Sequence, residues 1–222
     1  VGSARALVAV AALSACRLHF DETPGAPTEG GVSGDALVGL GVRLAYQLES
    51  AQTTAITTST VTIAAGSTLV VVMWGSSKGV ELRHARRVGR RGPPGGTLAV
   101  TLSWPMSQVV TLFVVEVTNV RRPSSFDVAA TGQSNGGPTY SSPNVTTQAN
   151  DVLLAFDLTD ASAGETVTFT SGEADIGHST DPTSYPGAIG ARRLTAAGTY
   201  HATATQAVGT SRLVSVLALA GP

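Results

Sequence analysis

Four histidines, fifteen carboxylic side chains and one cysteine are the groups of this 222-residue chain best suited to chemistry. The histidines are His19, His84, His178 and His201. None stands in a Gly-x-Ser-x-Gly elbow or a His-Glu-x-x-His pair, the spacings that set a nucleophile or a zinc ion against a base. His201 falls in an alternating run and reads as a half-exposed sheet residue. His178 has richer surroundings: residues 171–182, SGEADIGHSTDP, place Glu173, Asp175 and Asp181 near it in a stretch punctuated by Gly and Pro. Such a loop suits Ca²⁺, which gathers oxygens from carboxylates, carbonyls and water. Glu173, Asp175 and Asp181 are the calcium candidates, with an ordinary polar loop as the competing reading, because the EF-hand spacing is missing. No other metal and no cofactor is read from the chain.

Two further chemistries can be weighed. Glycoside hydrolysis needs two acids roughly 5 to 9.5 Å apart, and Glu116, in the apolar run 109–117, is a single acid whose alternate reading is a partner for Arg or for solvent. Sugar binding by stacking needs exposed aromatic rings, and aromatics make up only 5% of the chain. Trp74 and Trp104 each close an apolar run, where a ring caps the core or lines a pocket at the loop end. Tyr140 and Tyr185 lie in stretches rich in Pro, Ser and Gly. These four are the ligand-binding candidates, with core or rim packing as the alternative for each.

The elements that must hold these residues are strands. Charged residues make up 13% of the chain while 42% is hydrophobic, and a surface made polar by Thr and Ser suits exposed strands better than solvated helices. Runs rich in β-branched and aromatic residues, bounded by turn formers, fall at 57–63, 68–74, 97–104, 109–117, 152–158, 165–170, 199–205 and 212–219. Weaker ones fall at 41–48, 126–130, 145–148 and 189–194. In 166–170 hydroxyls and apolar groups alternate, one face wet and one face core. The runs 69–73 and 109–115 are apolar on both faces, as central strands are. About ten to twelve strands without helical periodicity predict an all-β fold, a two-sheet antiparallel sandwich of jelly-roll type.

The N-terminal residues 1–16, VGSARALVAVAALSAC, run from one positive charge at Arg5 through an apolar stretch to small residues, the order of a secretory signal. The stretch is shorter than the about 20 apolar residues that span a bilayer. Its ending, Leu13-Ser14-Ala15-Cys16, resembles the lipobox of bacterial lipoproteins. The resemblance implies that the Cys16 thiol receives a diacylglyceryl group and becomes the first residue of the mature chain. It implies stable attachment too, at roughly 0.8 kcal/mol per buried methylene, and Arg17 in place of Asp implies the outer membrane where a cell has two. Cys16 is the only cysteine of the chain, so no intramolecular disulfide can form. The expected organisation is a signal peptide over 1–15, a lipidated Cys16 with a flexible Pro- and Gly-rich tether over 16–36, and one domain over 37–222.

Residues 78–94, KGVELRHARRVGRRGPP, break the β pattern and hold six of the fourteen basic residues. Three readings stay open: a solvated strand and loop, a patch for a polyanion, or a local reading-frame error. The net charge of −1 and the lack of interleaved aromatics speak against nucleic acid as a partner. The order of a Thr-rich strand, Gly66, a strand with Trp74, the strand around 114–117 and a closing strand after 196–200 also resembles exported β-sandwich proteins of bacteria. That likeness implies a fold and no activity. The expected function is a non-catalytic, membrane-anchored module of the cell envelope that binds glycan or a surface protein. A self-assembling structural subunit and a hydrolase with an unrecognised site are the alternatives.

Overall fold

The structure, a computed structural model, describes residues 17–22, 41–76, 83–87, 96–121, 126–135, 137–159, 166–179, 187–207 and 211–222. Numbered along the chain, β1 (Arg17–Glu22), β2 (Val42–Thr57), β3 (Val61–Ile63), β4 (Thr68–Ser76), β5 (Arg83–Arg87) and β6 (Gly96–Val117) form the first sheet. The second sheet is built from β7 (Phe126–Asn135), β10 (Val152–Thr159), β12 (Ala174–His178), β13 (Gly187–Arg193) and β16 (Ser211–Leu219), in the order β12-β13-β10-β16-β7. Two small sheets complete the fold. One joins β8 (Thr139–Ser141), β11 (Thr168–Phe169) and β15 (Thr203–Thr205), and the other β9 (Val145–Thr147) and β14 (Gly198–Tyr200). Every strand pairing is antiparallel. The protein is all-β, and no helix occurs among the described residues.

β6 organises the first sheet. On one side it takes β2, from Val42 opposite Val117 to Thr57 opposite Thr101, and then β3, with Val61 opposite Leu98. On the other side it takes β4, with Thr68 opposite Val117, and β1, with Arg17 opposite Ser103. Alternation along β6 divides its side chains between two cores. Leu98, Val100, Leu102, Leu112 and Val114 join Ile56, Val61, Ile63, Leu69 and Val71 in one. Phe113, Val115 and Val117 join a second, which also holds Val152, Leu154, Phe156, Ile189, Leu217 and Leu219 of the second sheet. That second core is shared by both large sheets, and Phe113 and Phe156 are wholly buried in it, each stabilising by roughly 1.5–3 kcal/mol relative to exposure.

The second sheet is covered on its other face as well. Leu153, Ala155, Val214, Val216 and Ala218 pack with Val145, Val167, Ala202 and Ala204 of the small sheets and their flanks. β10 is buried along its whole length, which explains why its sequence shows no polar alternation. Asp157 and Thr159 share that burial, and Thr159 Oγ1 accepts a hydrogen bond from Gln206 Nε2 at 3.3 Å.

Several elements differ from the sequence expectation. The run 57–63 is broken at 58–60, where Thr58 donates its N–H to the Val100 carbonyl and takes the Val100 N–H on its hydroxyl, both at 2.9 Å. The runs 97–104 and 109–117 are one strand, although Pro105 lies between them. No described register position falls on 104–107, and a proline without an N–H is tolerated where no ladder bond is formed. The run 199–205 splits into β14 and β15 around His201 and Ala202. Residues 174–178, expected as loop, are the edge strand β12. Its register slips between Asp175 and Gly177, and the Gly177 N–H bonds back to Asp175 Oδ1 at 3.0 Å. That bulge, formed by an Asp and a Gly, is what made the stretch look like a turn. Arg17–Glu22, expected to open a flexible tether, is paired with β6 along all six residues.

Candidate functional site

Glu116 is the one acid of the strongly apolar run, and the structure gives it three donors. Arg43, opposite it across β2 and β6, places Nε 2.5 Å from Oε2. The Ala64 N–H donates to Oε1 at 2.6 Å, and the Ser67 hydroxyl donates to the same oxygen. Arg43 also donates to the Thr62 carbonyl. Ala64 to Ser67 is the tight turn between β3 and β4, closed by Ser67 N–H to the Ala64 carbonyl at 3.2 Å, with Gly66 at φ 84° supplying its left-handed residue. A carboxylate held by a guanidinium, a hydroxyl and a backbone N–H pins this turn to the centre of the sheet. Its acceptor positions are spent on structure, whereas a glycosidase needs a pair of acids.

Two of the calcium candidates lie at β12, Glu173 just before it and Asp175 within it. Glu173 turns inward: its side chain is fully buried, Oε1 lies 3.5 Å from Arg192 Nη2, and Oε2 accepts the Ser171 hydroxyl at 2.6 Å. Arg192 also donates from Nη1 to the Ser171 carbonyl at 2.5 Å, and its guanidinium lies 5.2 Å from the centre of the Tyr200 ring. The Ser171 hydroxyl in turn accepts the Thr203 N–H at 2.7 Å, which ties the second sheet to the small one. Asp175 faces solvent and meets His178 Nδ1 at 3.2 Å. Glu173 and Asp175 therefore do not converge. Asp181 lies outside the described residues, and no cluster of three metal-ligating side chains occurs among those described.

Of the aromatic candidates, Tyr140 is placed by packing. It sits on β8 opposite Ala204 and lies over Gly132 of β7, where an added Cβ would come within 2.8 Å of the tyrosine oxygen and 2.9 Å of Pro143 Cδ. It is half-buried against the third core. Trp74 does not close its strand, since Gly75 and Ser76 continue the ladder with Val110 and Val109. Trp104 lies in the interior of β6. The rings of both tryptophans, and Tyr185, lie outside the described residues, as does Cys16. Of the basic stretch, 83–87 is strand β5, paired with β4 from Met73 to Leu69; the rest lies outside them.

A further pair of acids had no signal in the sequence. Asp151 precedes β10 and Asp127 is near the start of β7, and both strands flank β16, whose Leu219 faces Val152 on one side and Phe126 on the other. Asp151 is 1% exposed. Its Oδ2 accepts the Gln148 N–H at 2.9 Å and its Oδ1 the Gly221 N–H at 3.0 Å. Partial burial, a hydrogen bond to the Asp151 side chain and the like charge of that carboxylate push the Asp127 carboxyl above its ordinary value, against a lesser pull from Arg121. The two acids are 24 positions apart and meet only through the strand order, so no spacing motif could have found them. The cluster of Ser171, Glu173, Arg192 and Tyr200 was likewise visible only in its acid.

Comparison of the chain with protein-family models, with curated proteins and with solved structures finds no match. No helix among the described residues is long and apolar enough to cross a membrane.

Proposed function

We propose that the chain is a non-catalytic binding module of the cell envelope: a two-sheet sandwich of jelly-roll type, lipid-anchored at Cys16, that contacts glycan or another surface protein at one end of its second sheet. The core common to the two large sheets supports the sandwich. The observation that carries the binding reading is the register of the second sheet. Thr159, the end of β10, lies opposite Arg212 at the start of β16; Arg212 lies opposite Ser134 near the end of β7; and Leu158 lies opposite Gly187 at the start of β13. Four strand ends stand side by side at this end of the sheet. Loops gathered at one end of a rigid scaffold are where such folds bind. The well-connected acids Glu116, Glu173 and Asp151 are meanwhile engaged by the scaffold itself.

β1 begins at Arg17, opposite Ser103 of β6, and a lipid on the preceding residue would hold the domain close to the bilayer. A glycan array probed with the protein, and again with Tyr185→Ala, tests the binding end: glycan capture that the substitution weakens is expected, and capture of nothing sinks the glycan arm. Fatty-acid labelling in the host, lost in Cys16→Ser, is the expected result for the anchor, and equal labelling of both forms removes it.

Self-assembly is favoured by one observation. β7 is an edge strand of ten residues that contains neither Lys nor Pro, and among the described strands it pairs only with β16. Light scattering decides between the readings, since a discrete large oligomer counts against a simple binding module.

A further inference from the structure

We propose that the side chains of Thr159 and Gln206 join in an intramolecular ester, formed with loss of ammonia, which ties the central strand of the second sheet to the small sheet packed on it. The inference does not rest on the binding role above.

Its basis is one contact and the place where that contact lies. Thr159 is the last residue of β10, opposite Arg212 of β16, and Gln206 directly follows β15. Gln206 Nε2 lies 3.3 Å from Thr159 Oγ1, and the amide carbon is one bond of about 1.3 Å behind that nitrogen. A hydroxyl and a carboxamide held in this way are a nucleophile and an acyl carbon that have already met the entropic cost of coming together. Burial supplies the second requirement. Thr159 is 0% exposed and Gln206 3%, so water, which would hydrolyse the product, is kept out. Both ends are also held by the backbone: the Gln206 N–H donates to the Pro138 carbonyl at 2.9 Å, and Thr159 stands in the ladder with β16.

An acid stands in the same row. Side chains two apart on a strand share a face, and Leu153 and Ala155 of β10 pack in the third core with Ala202 and Ala204. Asp157 and Thr159 continue that row, and Asp157 too is 0% exposed. Its ladder neighbours are Ala188 and Val214, neither of which can carry a proton. Asp157 is the base of the reaction. It takes the Thr159 hydroxyl proton as Oγ1 bonds to the Gln206 amide carbon, and returns it to Nε2 as the carbon–nitrogen bond breaks. One carbon–oxygen bond forms, one carbon–nitrogen bond is lost and ammonia leaves, with no oxidant and no cofactor. The product links residues 47 positions apart, so that unfolding can no longer part β10 from the flank of β15.

The test is a peptide map of the full chain after denaturation. Arg192 and Arg193 lie between the two residues, so trypsin leaves Thr159 and Gln206 in different peptides. The expected result is one joined species, lighter by one ammonia than the two peptides together, with fragmentation placing the bond at Thr159 and Gln206. Thr159→Ser, which keeps a hydroxyl, should retain the joined species, and Thr159→Ala should lose it. In a time course after synthesis, Asp157→Asn should slow the joining by roughly a hundredfold or more; joining at the parent's rate would remove Asp157 as the base. The parent's map depends on no variant folding. Two separate peptides of full mass in the parent would overturn the ester. So would loss of ammonia without joining, which ring closure at Asn135-Gly136 produces within one peptide, and so would a joined species that persists in Thr159→Ala.

Discussion

Arg43 and Glu116 face each other across β2 and β6 with 2.5 Å between Nε and Oε2, the guanidinium 38% exposed and the carboxylate 2%. The pair is lopsided, and so are its consequences. Removing the acid in Glu116→Ala strands the Ala64 N–H and leaves the Ser67 hydroxyl only the Ala64 carbonyl as acceptor, and should cost roughly 2–4 kcal/mol. Glu116→Gln, which keeps an acceptor for that N–H, should cost less than half of this. Urea midpoints at constant slope measure both; equal losses would mean that the charge matters little beside the shape.

Arg192 covers the fully buried carboxylate of Glu173. Arg192→Ala leaves that charge without its cation and should destabilise by roughly 3 kcal/mol. Arg192→Lys should not restore it, because an ammonium cannot at once reach the Ser171 carbonyl, pair with Glu173 and lie flat over Tyr200. Full recovery in the lysine variant would contradict this account of the cluster.

Tyr140 and Gly132 test a packing role against a binding one. Gly132→Ala puts a methyl group within 3 Å of the Tyr140 hydroxyl oxygen and Pro143 Cδ, and should cost about 1–3 kcal/mol by overpacking. Tyr140→Ala combined with it should relieve the tyrosine's share of that cost, the contact with Pro143 remaining, so the double variant would be more stable than the two single losses added together. Strict additivity in a denaturant titration would show that the two residues do not bear on each other.

Phe113 joins the large sheets from the β6 side, and an added Cβ on Gly187 would lie 3.7 Å from its ring. Phe113→Ala should cost about 3–5 kcal/mol. Because both sheets share this core, the loss should appear as one transition by every spectroscopic probe. Separate transitions would mean that the sheets unfold as independent units.

Alternation and composition made the strands legible: β4, β10, β13 and β16 lie within a few residues of their apolar runs. What stayed hidden was set by partners. Pro105 looked like an end because its unpaired position between two ladders is a property of β1, β2 and β4, not of the local residues. Asp175 and Gly177 looked like a loop because a bulge uses the same residue types as a turn. Glu116 was readable as an acid in need of a partner, and Arg43, 73 positions earlier, was one of many basic residues that could have met it. Glu173 was noticed for its neighbours in sequence and proves to be defined by Arg192.

The pairing of β6 has a consequence in time. Among the described ladders β1, β2 and β3 meet only β6, and Val42 waits for Val117. At the roughly 5–20 residues per second of synthesis from the N-terminus, several seconds separate the appearance of β3 from that of its partner. Throughout that interval Val42, Leu44, Ile56, Val61 and Ile63 have no sheet to enter. A ribosome, a translocon or a holding chaperone must shelter them, and a slowed passage through residues 64–117 would favour aggregation before folding could begin.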